Sequence, residues 1–222
     1  MILCLVTDRR RLGVALGATE RDWTDVLRAQ VAAAVRAGVD YVQVREPDIE
    51  AGELTDLIRS LMAETAGAPT RILVNDRIDV ALAAKASGVH LKEQSILPGE
   101  VRRIAPRGFV IGCSVHGISA LAARKSADLL IAGTVMPTAS KSAVDYLDQD
   151  GLSKIVEEAA GQPVLGIGGM NVTSIPLLRS TGAAGLAAIG AFIPAAGEDI
   201  TEFVQDRVNA MRLAFDSSDR RT

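Results

Sequence analysis

The sequence contains few aromatic and cysteine residues and no long apolar run. Aromatic residues make up 3% of the 222 residues, and Cys4 and Cys113 are the two cysteines. Two cysteines cannot form a disulfide framework in a chain of this length, and both lie in apolar runs, so we expect buried free thiols in a reducing compartment. No apolar run reaches the ~20 residues that span a bilayer, and the first residues lack the basic start of a signal peptide. We therefore expect a cytoplasmic protein without a membrane segment.

The sequence also lacks a strong charge of either sign. The formal net charge is −3, and no basic run of the kind found in nucleic-acid-binding proteins occurs. This balance predicts no binding to nucleic acids and no attraction to a membrane surface. The short cluster Arg9–Arg11 is predicted to lie in a solvated loop. The oligomeric state is left open, with a homodimer as one option.

What is present is a regular alternation of short apolar runs and longer amphipathic segments. The runs are continuously apolar, which is typical of strands that are buried on both faces. The predicted strands are Ile2–Val6, Tyr41–Val44, Ile72–Val74, Gly88–Leu91, Phe109–Gly112, Leu129–Ala132, Val164–Ile167 and Gly185–Ala188. Alternation of strands and helices predicts parallel strands with right-handed crossovers.

Eight such units in one chain predict an α/β protein with a (β/α)₈ TIM barrel as its single domain over residues 1–222. The alternative is an open Rossmann-like sheet, but no G-x-G-x-x-G follows the first strand. Thr24 and Asn171 are predicted to cap helices at their N-termini. Residues 216–222 are predicted to form a frayed C-terminal tail.

In such a barrel the active site lies at the C-terminal ends of the strands. Polar residues follow several of the predicted strands, and their donors and acceptors are suited to an anionic or heterocyclic substrate. The predicted substrate-binding residues are Gln43, Arg45, Asn75, Thr138, Ser140 and Lys141.

A phosphate site is predicted at the ends of the seventh and eighth strands. Gly168 and Gly169 follow the seventh strand, and Ile189 and Gly190 follow the eighth. Glycine lets backbone N–H groups approach an anion closely, and a short helix that begins at Gly190 would add a favourable dipole. Phosphate binding by these two loops is a recurring arrangement in barrels.

The chain has two histidines, which are assigned different roles. His90 lies inside a predicted strand and is interpreted as structural. His116 follows the fifth predicted strand, close to Ser114. Because imidazole gains and loses a proton near neutral pH, His116 and Ser114 are the predicted catalytic residues.

Together these motifs resemble the thiamine phosphate synthase/TenI family over nearly the whole chain. The motifs are Leu5-Val-Thr-Asp8, Gln43-Val-Arg45-Glu46, Leu73-Val-Asn75-Asp76-Arg77-Ile-Asp79, Gly88-Val-His-Leu91, Gly112-Cys-Ser-Val-His116, Pro137-Thr-Ala-Ser-Lys141 and Gly166-Ile-Gly-Gly169. The resemblance implies one of two reactions on a small phosphorylated thiazole. Synthases join it to a pyrimidine diphosphate with Mg²⁺, whereas TenI-type tautomerases aromatise a thiazole carboxylate phosphate without metal.

Two departures from the family pattern bear on this choice. The resemblance implies a diphosphate-binding lysine where the chain has Pro47, and a second Mg²⁺ carboxylate where it has Ser95. Asp76 is then the remaining metal ligand if Mg²⁺ is used, unless Lys92 or Glu93 compensates. On this basis the chain is predicted to be a thiazole tautomerase that needs no cofactor. The alternatives are an Mg²⁺-dependent thiamine phosphate synthase and a non-catalytic sensor of thiazole or thiamine phosphate.

Overall fold

A computed structural model describes residues 1–138 and 146–217. Its strands form one closed barrel in sequence order, and every neighbouring pair is parallel, including the pair that closes the barrel. The strands are β1 Ile2–Val6, β2 Tyr41–Val44, β3 Arg71–Asn75, β4 Gly88–Leu91, β5 Val110–Val115, β6 Leu129–Gly133, β7 Val164–Ile167 and β8 Gly185–Ala188. The predicted single-domain (β/α)₈ barrel is confirmed, and the Rossmann-like alternative is wrong.

Helices surround the barrel and return the chain to the start of each next strand. They are α1 Arg9–Leu16, α2 Trp23–Arg36, α3 Ala51–Glu64, α4 Ile78–Ala83, α5 Pro98–Ile104, α6 Asp148–Glu158, α7 Ile175–Ser180 and α8 Ile200–Asp216. Between β5 and β6 the crossover is a 3₁₀ helix over Ile118–Arg124. None of the helices among the described residues is long and apolar enough to cross a membrane.

The helix ends differ in part from those predicted from the sequence. Asn171 is a cap as predicted, because its side chain accepts from the Thr173 N–H while Ser174 accepts from the Asn171 N–H. Thr24 is not a cap, since α2 already begins at Trp23. Of the predicted tail, Asp216 belongs to α8 and residues 218–222 lie outside the described part of the chain.

Two short stretches that were assigned to loops belong to regular elements. Arg9–Arg11 opens α1, whose N-terminus is capped by the Asp8 carboxylate, so the cluster is not a solvated loop. β5 extends to Val115 and therefore contains Ser114. A strand can accommodate this hydroxyl because the end of β5 opens into a cavity.

The core has two layers, and their arrangement fixes where the site can lie. One layer packs between strands and helices, and a second fills the inside of the barrel with Cys4, Val6, Leu73, Leu129, Ile131, Leu165 and Ala187. Burial raises the pKa of the Cys4 thiol to about 12 and that of Cys113 to about 11, so both remain protonated and inert. Because the barrel interior is filled, open space begins at the C-terminal ends of the strands.

Candidate active site

A cavity of about 1010 Å³ opens at the C-terminal ends of the strands. This volume is at the upper end of the usual range for small-molecule sites, roughly 300–1000 Å³. Its walls combine glycine backbone, amides, hydroxyls and cationic side chains. Ten of the predicted site residues line it: Gln43, Arg45, Asn75, Ser114, His116, Thr138, Gly168, Gly169, Ile189 and Gly190. Ser140 and Lys141 lie outside the described residues.

The β7 end of the cavity is formed by two glycines that no other residue could replace without strain. Gly168 has φ 97° and Gly169 has φ 69°, both in the left-handed region. A Cβ on Gly168 would lie 2.3 Å from Thr134 Cγ2, and one on Gly169 would lie 2.8 Å from Met136 Cβ. Backbone shape and close packing therefore both require glycine here, as an anion site built from main chain would.

At the β8 end, Gly190 begins a single 3₁₀ turn that ends at Phe192. A turn of this length carries little helix dipole, so backbone access rather than the dipole makes this end suitable for an anion. The Arg11 guanidinium also reaches this end, with Nη2 3.6 Å from the position that a Gly190 Cβ would occupy. Arg11 is not among the predicted site residues, because an arginine cluster is typical of a solvated loop. We call Gly168, Gly169 and Gly190 the glycine cup.

The opposite wall begins with an amide pair between neighbouring strands. Gln43 Nε2 donates to Asn75 Oδ1 at 2.8 Å, and Gln43 is almost fully buried. Parallel pairing of β2 and β3 brings the two side chains together, since both lie near the C-terminal ends of their strands. The pair leaves the Gln43 carbonyl and the Asn75 NH₂ to face a ligand.

Arg45 follows β2 and is held at the rim through its backbone. Its N–H donates to Thr7 Oγ1 at 2.9 Å, and the same hydroxyl donates to Glu46 Oε1 at 2.6 Å. Glu46 is buried and also pairs with Arg9, whose Nη1 is 3.1 Å from Glu46 Oε2. Burial raises the pKa of Glu46 although the hydrogen bonds from Thr7 and Arg9 oppose it. This network anchors the loop, so the guanidinium of Arg45 projects from a fixed backbone into the cavity.

His90 and Ser114 form a hydrogen-bonded pair on the cavity wall, with 2.9 Å between His90 Nε2 and Ser114 Oγ. Burial lowers the pKa of His90 to about 4, so the imidazole is neutral at physiological pH. Ser114, which was predicted to act beside His116, is therefore oriented by His90. Both residues line the cavity, and the interpretation of His90 as structural stays a prediction.

His116 lies at the rim and is bound to Glu93. Its backbone N–H and its ring Nδ1 both contact Glu93 Oε2, at 2.8 and 2.5 Å. Arg124 in turn donates to the Glu93 carbonyl oxygen, which fixes the β4 loop. The half-exposed imidazole is thus paired with a carboxylate at the edge of the cavity rather than placed next to Ser114.

The β3 and β4 loops meet in a cluster around Asp76, which we call the Asp76 cluster. Asp76 Oδ2 lies 2.6 Å from Lys92 Nζ, and Ser95 Oγ donates to Asp76 Oδ1. Asp76 has φ 62° and its N–H donates to the His90 carbonyl oxygen at 2.8 Å, which turns its carboxylate towards β4. Partial burial raises the pKa of Asp76, but the hydrogen bonds from Lys92 and Ser95 outweigh it and lower the pKa.

These residues do not fit a divalent metal well. Mg²⁺ needs near-octahedral oxygen ligands at about 2.0–2.1 Å and usually one or two carboxylates. Both oxygens of Asp76 already have partners, and Glu93 is bound to His116. Within residues 1–138 and 146–217 no group of three or more His, Cys, Asp and Glu side chains is placed to hold a metal.

Comparison with known proteins supports the family resemblance. The family model described as thiamine monophosphate synthase matches residues 5–192. A thiamine-phosphate synthase from Roseiflexus castenholzii is 36% identical over 198 residues, covering 87% of this chain and 82% of the relative. One from Clostridium botulinum is 36% identical over 194 residues, covering 86% of this chain and 89% of the relative.

A solved structure shares the whole architecture. Thiamine phosphate pyrophosphorylase from Pyrococcus furiosus superposes with a TM-score of 0.77 at 30% sequence identity, covering 97% of this chain and 96% of that one. The prediction of a thiazole tautomerase is therefore wrong: relatives over most of the chain are named for the synthase reaction. The prediction counted Pro47 and Ser95 as lost charge, but it did not place the Lys92 ammonium in the same cavity. With these matches, the chain belongs to the thiamine monophosphate synthase family.

Proposed function

We propose that this chain is a thiamine-phosphate synthase, which joins a thiazole phosphate to a hydroxymethylpyrimidine diphosphate. The thiazole ring nitrogen forms a bond to the pyrimidine methylene carbon. The bond from that carbon to the diphosphate oxygen breaks, and its electron pair leaves with pyrophosphate. The reaction thus needs a site for a monophosphate, a site for a leaving diphosphate, and room for two rings between them.

The observation that carries the proposal is the presence of two different anion-suited walls in one cavity. β7 and β8 lie opposite β3 and β4 in the closed barrel, so the glycine cup faces the wall that carries Lys92, and Arg45 lines the same cavity from the end of the adjacent strand β2. The cup suits the monophosphate of the thiazole, because main-chain N–H groups can surround a small anion. The cationic wall suits the diphosphate, which carries about three negative charges near neutral pH.

The uncharged residues between the two walls suit the heterocycles. We infer that the Gln43–Asn75 pair binds the pyrimidine, because it offers an amide acceptor and an amide donor to a ring that carries both complementary groups. Ser114, held by neutral His90, can hydrogen-bond a ring heteroatom or the bridging oxygen of the diphosphate. Thr138 lines the cavity on the β6 side and supplies another hydroxyl.

Arg45 has the most direct part in this proposal. Its guanidinium can bind two diphosphate oxygens at once, and such charge-assisted bonds strengthen as the leaving group gains charge. His116 has no proton to deliver in a reaction whose leaving group is an anion of this kind. We therefore assign His116 and Glu93 to shaping the rim.

The test incubates the purified protein with both substrates and measures thiamine phosphate by chromatography and pyrophosphate by a coupled assay. We expect equimolar formation of the two products. Arg45→Ala should reduce kcat/KM by roughly ten- to a hundredfold, whereas His116→Ala should stay within about tenfold of the parent. Lys154→Ala, an exposed change on α6 outside the cavity, is the matched control and should have parental activity. Binding of both substrates without product would contradict the proposal.

A further inference from the structure

The β3–β4 wall of the cavity contains an ammonium group where the family resemblance leads one to expect a metal ion. Lys92 Nζ lies 2.6 Å from Asp76 Oδ2, and the Lys92 side chain is 59% exposed, against 25% for Asp76. An ammonium has three N–H donors, and its contact with Asp76 needs one of them. The others are therefore available on the side that lines the cavity.

The same contact makes a second cation at Asp76 unfavourable. A divalent ion bound to this carboxylate would lie within a few ångströms of the ammonium, and the repulsion between them would oppose binding. Ser95 occupies the other carboxylate oxygen through its hydroxyl. Glu93, the nearest acidic residue along the β4 loop, is held by His116 and does not supply a replacement ligand.

We propose that the Lys92 ammonium, anchored on Asp76, binds the diphosphate in place of a divalent cation and makes catalysis by this chain independent of Mg²⁺. The inference rests on the proposed synthase function, because it assigns a role within that site. Lys92 would bind the diphosphate from the β4 loop and Arg45 from the β2 loop, and Asp76 would act as a positioning residue through Lys92. No proton needs to move: the pyrophosphate leaves as an anion paired with two fixed cations.

The alternative is that no residue replaces the diphosphate-binding lysine that the family resemblance implies at the position of Pro47. Pro47 cannot donate to an anion, and its exposed position at the β2 loop provides no charge. A cavity with Arg45 alone on this wall would compensate little of a charge of about minus three. Lys92 supplies one positive charge to the wall from a different loop. Its location in the cavity therefore matters more than its position in the sequence motif.

The experiment uses inorganic pyrophosphate as the probe and isothermal titration calorimetry in EDTA. The parent protein should bind pyrophosphate without metal, and Lys92→Ala should weaken binding about ten- to a hundredfold, as expected for loss of a charge-assisted hydrogen bond. Lys92→Arg should retain most of the affinity because it keeps the charge. Lys154→Ala, with the same loss of charge at a distant exposed site, should bind like the parent. Circular dichroism of each variant verifies folding.

A second arm separates this inference from the proposed function. Thiamine phosphate formation by the parent protein should be equal, within about twofold, in EDTA and in millimolar Mg²⁺, and the variant Lys92→Gly/Ser95→Asp should become dependent on Mg²⁺. Pyrophosphate binding that requires Mg²⁺, or that is unchanged in Lys92→Ala, would overturn the role of Lys92. Absence of product in both buffers would instead overturn the synthase function, while the calorimetry would still decide whether Lys92 binds the anion.

Discussion

The two opposite walls of the cavity are suited to anions in different ways. At the β7–β8 wall the glycine cup is made of main chain, and its shape is fixed by positive φ angles and by contacts that leave no room for a Cβ. At the β3–β4 wall the Asp76 cluster is made of side chains whose charges compensate one another. The first wall therefore offers a rigid site of fixed size, and the second offers charge that depends on which side chains meet.

This difference explains why the tautomerase prediction failed. Gly168 and Gly169 can be replaced only at a cost in backbone strain, so the shape of that wall can be recognised from its motif. At the other wall the positive charge is carried by Lys92 rather than by a residue at the position of Pro47, and Lys92 lines the cavity. A comparison of residues at the motif positions alone therefore underestimates the positive charge of such a wall.

The largest expected effect is at the glycine cup. Gly168→Ala should lower the free energy of unfolding by about 3 kcal/mol, because it combines left-handed strain with overlap against Thr134. Gly161→Ala is the matched control: Gly161 has φ 92° but nothing within 4 Å of its Cβ position, so it should lose only about 1 kcal/mol. Chemical denaturation measures both, and equal losses would show that packing against Thr134 does not constrain the cup.

A smaller loss is expected where the charged wall is anchored. Thr7→Val removes the hydroxyl that donates to the buried Glu46 and accepts from the Arg45 N–H, and should cost about 2 kcal/mol of stability. Thr55→Val is the control, since its hydroxyl only bonds back to the Ala51 carbonyl within α3, and it should change stability by less than about 0.5 kcal/mol. If the two variants unfold at the same denaturant concentration, Thr7 does not support the wall.

The neutral imidazole between the walls predicts a pH dependence of stability. The pKa of His90 is lowered in the folded protein from 6.5 to about 4, so on acidification the unfolded chain takes up a proton that the folded one does not. Stability should be full above pH 6.5 and be lost as the pH falls towards 4, with about 1 kcal/mol lost between pH 6 and 5. His90→Gln should show a shallower slope over that interval in urea denaturation. A parent protein whose stability is flat from pH 6 to 5 would refute the neutral, buried imidazole.

The smallest effect is expected for an ion pair that resembles Lys92–Asp76 but lies outside the cavity. Arg77 and Asp79 pair at 2.5 Å with largely exposed side chains. Arg77→Ala should change stability by less than about 0.5 kcal/mol, because exposed pairs contribute little, and should leave pyrophosphate binding unchanged. Weaker pyrophosphate binding in this variant would mean that the total positive charge of the protein, rather than the position of Lys92, attracts the anion.

Much of the fold could be predicted from the sequence because continuous apolar runs specify buried parallel strands. Six of the eight predicted strands are followed directly by a polar residue or a glycine, which marks the rim of the barrel. The glycine cup was predicted for the same reason, and its use for phosphate stays a prediction. Arg11 was missed because an arginine triplet gives no sign of which member turns inward. The Lys92–Asp76 pair could not be predicted, since it depends on the left-handed backbone at Asp76 and on the approach of two loops.

The most direct test of the account is a crystal structure of the protein with thiamine phosphate and pyrophosphate, grown in EDTA. The account predicts the monophosphate at about 3 Å from main-chain nitrogens of the glycine cup, and pyrophosphate in contact with both Arg45 and Lys92 on the opposite wall. Pyrophosphate in the glycine cup, or away from Lys92 altogether, would contradict it.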